Sequence, residues 1–238
     1  MILRSLLPTF TLLAVFIVHD VHAQPSTEDA VQLLEDEWAE VFYKLPSNQQ
    51  ASRFKALLPR VQALQEQYPK RAEPLILEAI VLCTLASTEW GFSSLTRLSK
   101  ARELLIRSID FDPKAMGASA FITLGNLYFR LPGWPISYGD DELARQYLES
   151  AVKLFPDALD ANYFLGDYWL HEEDHAKALQ YLEKADQAPV RPNHLLSDTR
   201  IKEELQPALT AARKGEEPHT DFFSSLIPEL GDETEKVH

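Results

Sequence analysis

The 238-residue chain carries 36 acidic residues against 23 basic ones, a net charge of -13, and it contains 15 prolines but only 8 glycines. This length allows one domain or two small ones, and the acidic balance argues against a nucleic-acid partner because phosphate binding needs a basic surface. The single cysteine, Cys83, excludes an internal disulfide framework and a multi-cysteine metal site. It lies in the apolar run ILEAIVLCTLA, so we expect a buried thiol without a reactive role.

Residues 1–23 are predicted to be a signal peptide. Arg4 precedes 14 residues without a charge, 5–18, a run shorter than the roughly 20 apolar residues that a membrane span needs. Val21 and Ala23 supply the small side chains of a cleavage site. Cleavage after Ala23 predicts export to a bacterial periplasm or out of the cell, with no membrane span left. An uncleaved anchor is the alternative, and no cysteine follows the apolar run to carry a lipid.

The mature region 24–215 is predicted to be helical throughout. In its first segment, apolar residues recur every three to four positions at Leu34, Trp38 and Val41, the spacing of an amphipathic helix. Few glycines and many prolines favour helices that stop sharply, as at Pro69. No segment sustains a period of two, so we expect no sheet. The nine predicted helices cover 31–45, 53–68, 73–87, 97–110, 118–130, 141–155, 158–172, 175–187 and 197–214.

Internal repetition is the most informative pattern of the helical region. Five residues recur at an offset of 34, since Ala144, Tyr147, Leu148, Glu149 and Ala151 return as Ala178, Tyr181, Leu182, Glu183 and Ala185. A Leu-Gly pair ending at Gly125 returns at Gly166, at an offset of 41. This pattern resembles the tetratricopeptide repeat, a 34-residue helix–turn–helix unit in which Gly and Ala allow close helix packing. The predicted fold is therefore all-α, a tetratricopeptide-like solenoid of helical hairpins with about nine helices.

The copies of this unit differ in their connections. The copy at 159–190 has no insertion, and the copy at 118–156 has seven extra residues between its helices, because 41 minus 34 is 7. A weaker copy at 75–113 is predicted to carry a longer insertion around STEWGFSSLTRL. The helices within 28–45 and 52–68 are expected to form a divergent first hairpin.

The insertion RLPGWPISYGDDE, 130–142, is the most distinctive loop. Its two prolines stiffen the chain and its two glycines allow tight bends. Trp134 and Tyr138 offer apolar area that we expect to pack down, which would give an ordered loop. Asp140 stands where the next helix needs an N-cap. The loop either fills the gap between two hairpins or binds a ligand or partner through Trp134 and Tyr138.

The string PGWPISYGD, followed by ARQYLESAVKLFPDALDANYFLGDYW, resembles the exported bacterial repeat proteins grouped with the T component of TRAP-type transporters. The resemblance covers 115–190 well and the preceding repeat loosely, and the chain departs from it in lacking a lipoprotein cysteine. It implies a periplasmic, all-helical protein. In the transporter-associated members it also implies self-assembly and contact with a substrate-binding protein. A homo-oligomer and a transporter-associated role are thus expectations that rest on the resemblance.

The concave face is the candidate binding site, because the first helices of the hairpins line it in a tetratricopeptide stack. The repeat alignment places Asn126 and Asp167 at equivalent positions on this face, with Arg130 one turn after Asn126. Tyr163 is predicted to face the groove as well, whereas Phe164 is expected in the core. Such side chains suit a polar ligand or a protein partner. The alternative is that they are solvated residues of an exposed face.

The string His171-Glu172-Glu173-Asp174-His175 matches H-E-x-x-H, in which two histidines one helical turn apart bind zinc and the glutamate activates water. That chemistry would make the chain a zinc hydrolase through His171, Glu172 and His175. The alignment instead places a turn here, with Asp174 as the N-cap of the next helix, and we expect a polar turn. No other catalytic motif occurs, so we predict a non-catalytic scaffold without a cofactor.

The segment 216–238 has seven acidic residues and one lysine, a net charge of -6, and most of it is predicted to be disordered. An apolar patch within it contains Phe222, Phe223 and Leu226, followed by Ile227 and Leu230. This patch either docks onto the chain itself or a partner, or belongs to a loosely packed tail. The predicted function is an exported scaffold that binds a protein partner or a small ligand.

Overall fold

The computed structural model describes residues 26–88, 92–216 and 222–223; the predicted signal peptide and most of the acidic tail lie outside these ranges. The described residues form nine α-helices and two short 3-10 helices, without a strand. None of these helices is long and apolar enough to cross a bilayer. The α-helices are α1 Thr27–Lys44, α2 Ser47–Gln67, α3 Glu73–Ser87, α4 Phe92–Phe111, α5 Ser119–Arg130, α6 Asp141–Leu154, α7 Leu159–His171, α8 His175–Gln187 and α9 Leu195–Lys214.

The prediction of an all-α hairpin solenoid is confirmed, and α3 and α8 begin and end at the predicted residues. Two predicted N-caps are also present. The side chain of Asp140 accepts a hydrogen bond from the Leu143 backbone N–H at 2.9 Å, and that of Asp174 accepts one from Lys177 at 3.1 Å. Each such cap stabilises a helix start by about 1 kcal/mol, which is why these boundaries could be read from the sequence.

The long insertion predicted for the copy at 75–113 is wrong. Helix α3 ends at Ser87 and α4 already begins at Phe92, so much of STEWGFSSLTRL is helical. The buried Ser94 hydroxyl donates to the Ala86 carbonyl at 3.0 Å, and Leu98 is fully buried. These contacts fix the first turn of α4 against the end of α3.

Gly125 on α5 and Gly166 on α7 lie where the two helices of a hairpin approach each other closely, α5 with α6 and α7 with α8. A β-carbon at Gly125 would lie 2.5 Å from Cγ of Leu148, and one at Gly166 would lie 2.8 Å from Cγ of Leu182. Real atoms cannot approach so closely, so only glycine fits unless the partner leucine moves. The repeated Gly and Leu of the two units therefore contact each other, as the steric explanation of the pattern requires.

The odd-numbered helices close into a ring. Helix α1 packs on α3, α3 on α5, α5 on α7 and α7 on α9, and α9 returns to contact α1. Each of α2, α4, α6 and α8 packs on its hairpin partner. The solenoid ends meet at what we call the seam, the contact of α1 with α9 and the 3-10 turn Pro192–His194 before it. The concave face therefore lies inside a ring of helices whose two ends are in contact.

Candidate binding cavity inside the helical ring

A cavity of about 160 Å³ lies inside the ring and is lined by residues of all five odd-numbered helices. A cavity of roughly this size accepts a group as large as a benzene ring. Its lining combines large apolar side chains with small hydroxyl-bearing ones. The apolar lining includes Trp38, Tyr43, Ile80, Met116, Ile122, Phe164, Ile201 and Phe223, and the hydroxyl groups come from Thr84, Ser119, Thr123 and Ser197.

Arg130 and Asn126, two of the predicted site residues, line the cavity from α5. Arg130 Nη2 lies 2.7 Å from Asp167 Oδ2, and both side chains are nearly buried, at 9% and 5% exposed. Asn126 Nδ2 donates to the Ile122 carbonyl at 2.9 Å. The sequence thus predicted a real cluster, in which Arg130 and Asp167 form an ion pair between α5 and α7. The positive charge of Arg130 and the negative charge of Asp167 cancel, so the pair presents polar atoms to a ligand without a net charge.

Arg191 forms a second charged cluster at the cavity wall. Its Nη2 lies 2.7 Å from Asp198 Oδ1 and 3.0 Å from Asp160 Oδ2, and its backbone N–H donates to Asp198 Oδ2 at 2.7 Å. Asp198 is fully buried. Burial alone would lower the pKa of Arg191, but the contacts with the two carboxylates outweigh it and raise that pKa. This cluster joins α7 to α9 and keeps a permanent guanidinium charge at the cavity.

His194 and Glu35 connect the two ends of the solenoid. His194 Nδ1 lies 3.3 Å from Glu35 Oε1 across the seam, and both residues line the cavity. The bond to Glu35 raises the pKa of His194, although burial opposes the shift. Beside it, Gln32 Nε2 on α1 donates to the Asn193 carbonyl at 3.1 Å. The closure therefore includes a contact that depends on the protonation of one imidazole.

Tyr163 and Phe164 exchange the places predicted for them. Tyr163 is 1% exposed and packs in the core between α7, α8 and α9, whereas Phe164 faces the cavity. One helical residue is a rotation of about 100°, so a small error in the assumed face of α7 is enough to reverse the pair. Cys83 also lines the cavity. Burial raises the pKa of its thiol to about 12, which fits the expected unreactive cysteine.

The loop 130–142 is ordered, but its two aromatic residues behave differently. The Tyr138 hydroxyl donates to the Leu98 carbonyl at 2.9 Å, and its ring packs edge-on against Tyr128 with centroids 5.6 Å apart. Burial raises the pKa of Tyr138 well above its usual range. Trp134, in contrast, is 89% exposed. The prediction that both residues pack down is confirmed for Tyr138 and wrong for Trp134, because the bend between Pro132 and Gly139 directs the indole outward.

The H-E-x-x-H string does not form the geometry of a zinc site. Helix α7 ends at His171 and α8 begins at His175, and Glu173 between them has a left-handed backbone with φ of 58°. The two imidazoles therefore lie on different helices, as the predicted turn required. Within the described ranges, no group of three or more His, Cys, Asp and Glu residues is placed to hold a metal ion.

Residues 139–192, which contain α6, α7 and α8, match the family model described as tetratricopeptide repeat. The match supports a tetratricopeptide-repeat protein, and members of this family are generally non-catalytic scaffolds that mediate protein–protein interaction. No curated protein matches the chain. The grouping with TRAP-type transporter components is finer than this match reaches and stays a prediction.

Proposed function

We propose that the chain is an exported, non-catalytic scaffold that binds a segment of a protein partner or a small ligand in the cavity inside its helical ring. The observation that carries the proposal is the cavity itself, which lies on the concave face and collects side chains from every odd-numbered helix. A repeat stack whose only task was structural would fill this space with side chains, as protein interiors do.

The lining favours an amphipathic occupant. Its apolar surface suits an aromatic or aliphatic group of the size that a 160 Å³ space accepts. The paired charges at Arg130 and Arg191 offer hydrogen-bonding positions at the edge without a strong field of one sign. In this proposal Asn126 and Arg130 contact the occupant, Asp167 holds Arg130 in place, and Tyr163 lies behind the cavity wall.

The proposal is tested by filling the cavity. Thr123 is half-buried and lines the cavity, so Thr123→Phe would place an aromatic ring where a ligand binds. Thr210→Phe makes the same change on the exposed side of α9 and serves as the control. Both variants are first checked for unchanged helical circular dichroism and melting temperature.

The readout is native mass spectrometry and affinity capture of each protein from its native envelope fraction. We expect wild type and Thr210→Phe to retain the same bound molecule or partner, and Thr123→Phe to lose at least tenfold of it. Equal retention by a folded Thr123→Phe variant would contradict binding in the cavity.

Trp134 favours a second candidate function, the docking of a transporter-type substrate-binding protein. The indole is 89% exposed and its neighbour Ile136 is 52% exposed, on a loop anchored by Tyr138. A large aromatic side chain held in water on an anchored loop is typical of interface anchors. This proposal extends the TRAP-type resemblance, and Trp134 and Tyr138 would be its anchor and its support.

Capture with a Trp134→Ala variant tests this candidate. Leu33→Ala is a matched control, since Leu33 is 65% exposed on α1. A transporter-associated role predicts that wild type and Leu33→Ala retain a periplasmic substrate-binding protein and that Trp134→Ala loses it. Retention by all three proteins, or by none, would sink this candidate.

A further inference from the structure

Two aromatic side chains beyond the last helix, Phe222 and Phe223, pack on the ring at the edge of the cavity. Helix α9 ends at Lys214, and Gly215 after it has a left-handed backbone (φ 66°) that closes the helix, so the pair belongs to none of the nine α-helices of the described residues. Phe223 is 3% exposed and borders the cavity. Of the two outcomes weighed for the tail, docking onto the chain itself is confirmed for these two residues.

Phe222 binds an aromatic and cationic surface on α1 and α9. Its ring packs edge-on against Phe42 with centroids 5.1 Å apart and stacks on Tyr43 at 5.8 Å. The guanidinium carbon of Arg200 lies 4.4 Å from the Phe222 ring centroid. Edge-to-face, stacked and cation–π contacts all recognise an aromatic ring specifically, beyond its apolar area.

Phe223 occupies a neighbouring position on α7. Its ring packs edge-on against Phe164 at 5.1 Å and lies 5.8 Å from Tyr163. Phe164 and Tyr43 both line the cavity, and so does Phe223 itself. Phe223 is therefore part of the cavity wall, and Phe222 lies beside it on α1 and α9, next to the place where the proposed function puts the occupant of the ring.

The surface that receives the pair belongs to the helical stack, whereas the pair is separated in sequence from the end of α9 at Lys214 by seven residues, 215–221. A group on so short a link has an effective concentration on the order of millimolar. It can therefore occupy a site of modest intrinsic affinity and still yield to a partner that binds the same surface more tightly. The Phe222–Phe223 pair is therefore placed so that a partner can displace it from this surface.

Resting on the proposed function, we propose that Phe222 and Phe223 are resident occupants of a site for two adjacent aromatic side chains. The partner of this site is an extended segment of another protein that carries such a pair and binds by displacing the tail. The site consists of Phe42, Tyr43, Phe164 and Arg200, and its chemistry selects adjacent aromatic rings over aliphatic side chains.

The test uses the full chain and a labelled synthetic peptide of residues 216–230, EEPHTDFFSSLIPEL. In a Phe222→Ala, Phe223→Ala double variant the site is vacated, and we expect the peptide to bind at least tenfold more tightly than it binds wild type. This ratio follows from a millimolar effective concentration competing with a peptide Kd of about 100 μM or less. A control peptide with both phenylalanines replaced by alanine should bind neither protein.

Equal peptide affinity for the wild type and a folded double variant would overturn the proposal. If the alanine variant does not fold, the Phe222→Leu, Phe223→Leu variant keeps apolar volume without the ring contacts, and it too must bind the peptide more tightly than wild type. A wild-type chain that dimerises while the double variant stays monomeric would show that the pair docks between copies, and would also overturn it. The peptide experiment uses no cavity-filling substitution, so its outcome is independent of the Thr123→Phe experiment. A failure of the displacement proposal can therefore be told apart from a failure of the proposed function.

Discussion

The middle of the stack, α5 to α8, and the seam where α9 meets α1 are held together in different ways. In the middle, Gly125 contacts Leu148 and Gly166 contacts Leu182. Each contact is so close that a β-carbon at the glycine would overlap the leucine side chain unless the leucine moved. At the seam the contacts are instead an imidazole–carboxylate pair, a glutamine–carbonyl bond and the aromatic side chain of Phe222. Close packing of small and large residues forms the stack, whereas polar and aromatic contacts close it.

Because of this difference, the stability of the stack and the contact between its two ends should depend on different residues. A repeat stack is stabilised by interactions between neighbouring units, so the middle should hold its structure whether or not the ends meet. The seam rests on few residues, and three of them, Glu35, His194 and Tyr43, line the cavity. Changes at the seam should therefore alter access to the cavity with smaller effects on folding, except where a buried charge is left alone.

The largest effect on stability is expected at such a buried charge beside the seam. Asp198→Ala removes the fully buried carboxylate that Arg191 contacts through its guanidinium and its backbone N–H. Since Arg191 then keeps only Asp160 as a carboxylate partner and its backbone N–H loses its acceptor, we expect the free energy of unfolding to fall by about 3 kcal/mol. Asp186→Ala, an exposed carboxylate one helix earlier, should change it by about 0.5 kcal/mol or less. Chemical denaturation measures both, and similar effects of the two would contradict the buried cluster.

The middle of the stack is tested at one of its two close contacts between a glycine and a leucine. Gly166→Ala places a β-carbon 2.8 Å from Leu182, and overpacking of this kind lowers the free energy of unfolding by about 1–3 kcal/mol. Gly133→Ala is the control, since its nearest contact would be 3.4 Å from the Gly139 carbonyl in the loop. Urea denaturation measures the free energy of unfolding of both variants, and we expect a loss only in Gly166→Ala. If Gly166→Ala were instead stabilised, α7 and α8 would not be in close contact at this position, which would contradict the account.

The seam should respond to pH through His194. The pKa of His194 is raised in the folded chain, first by its bond to Glu35, so the folded chain holds this proton more tightly than the unfolded chain. The stabilisation is fully present below the ordinary histidine pKa of about 6.5 and is lost as pH rises through the raised value. Wild type should therefore exceed His194→Gln by about 1 kcal/mol at pH 5.

That difference should shrink toward zero as pH rises through the raised pKa of His194. Denaturation curves of the two proteins at a series of pH values give the comparison. A difference that stays constant across the series would show that the imidazole–carboxylate contact does not contribute to closure.

The smallest effect on stability is expected at the exposed loop tip. Trp134→Ala should change the free energy of unfolding by about 0.5 kcal/mol or less, because the indole is 89% exposed. Trp169→Ala is the matched control, since Trp169 packs against two core clusters, and it should cost about 3 kcal/mol. Thermal melts compare them, and a large loss at Trp134 would mean that the indole packs down after all.

The sequence predicted the middle of the molecule well and the seam poorly. Repeated Leu-Gly pairs and capping aspartates act over a few residues, so the helices and their hairpins could be read from their spacing. Arg130 and Asp167 were also found, since the repeat alignment places them on one face. Arg191, His194 and Phe223 were not identified as cavity residues, because each contacts a residue far away along the chain (Asp160, Glu35 and Phe164) and no local pattern marks them.

Tyr163 and Trp134 show the limits within the predicted region. The repeat pattern defines the pitch of α7 but not its rotation to within one residue, so Tyr163 was placed on the wrong face. For Trp134, composition alone predicts burial of an indole, and only the path of the loop shows that it is exposed. Side-chain direction at a loop tip depends on backbone contacts such as Gly139 N–H to the Pro132 carbonyl, at 3.0 Å.

The central claim is that the two ends of the stack meet beside the cavity, and thiol cross-linking tests it most directly. A Gln32→Cys, Asn193→Cys protein, with Cys83→Ser to remove the native thiol, places two thiols where α1 contacts the turn before α9. A Gln32→Cys, Gln146→Cys protein places the second thiol on the exposed side of α6 instead. With a short bifunctional thiol reagent, closure predicts an intramolecular cross-link in the first protein and none in the second. An unlinked first protein that is folded would show an open groove and contradict the account.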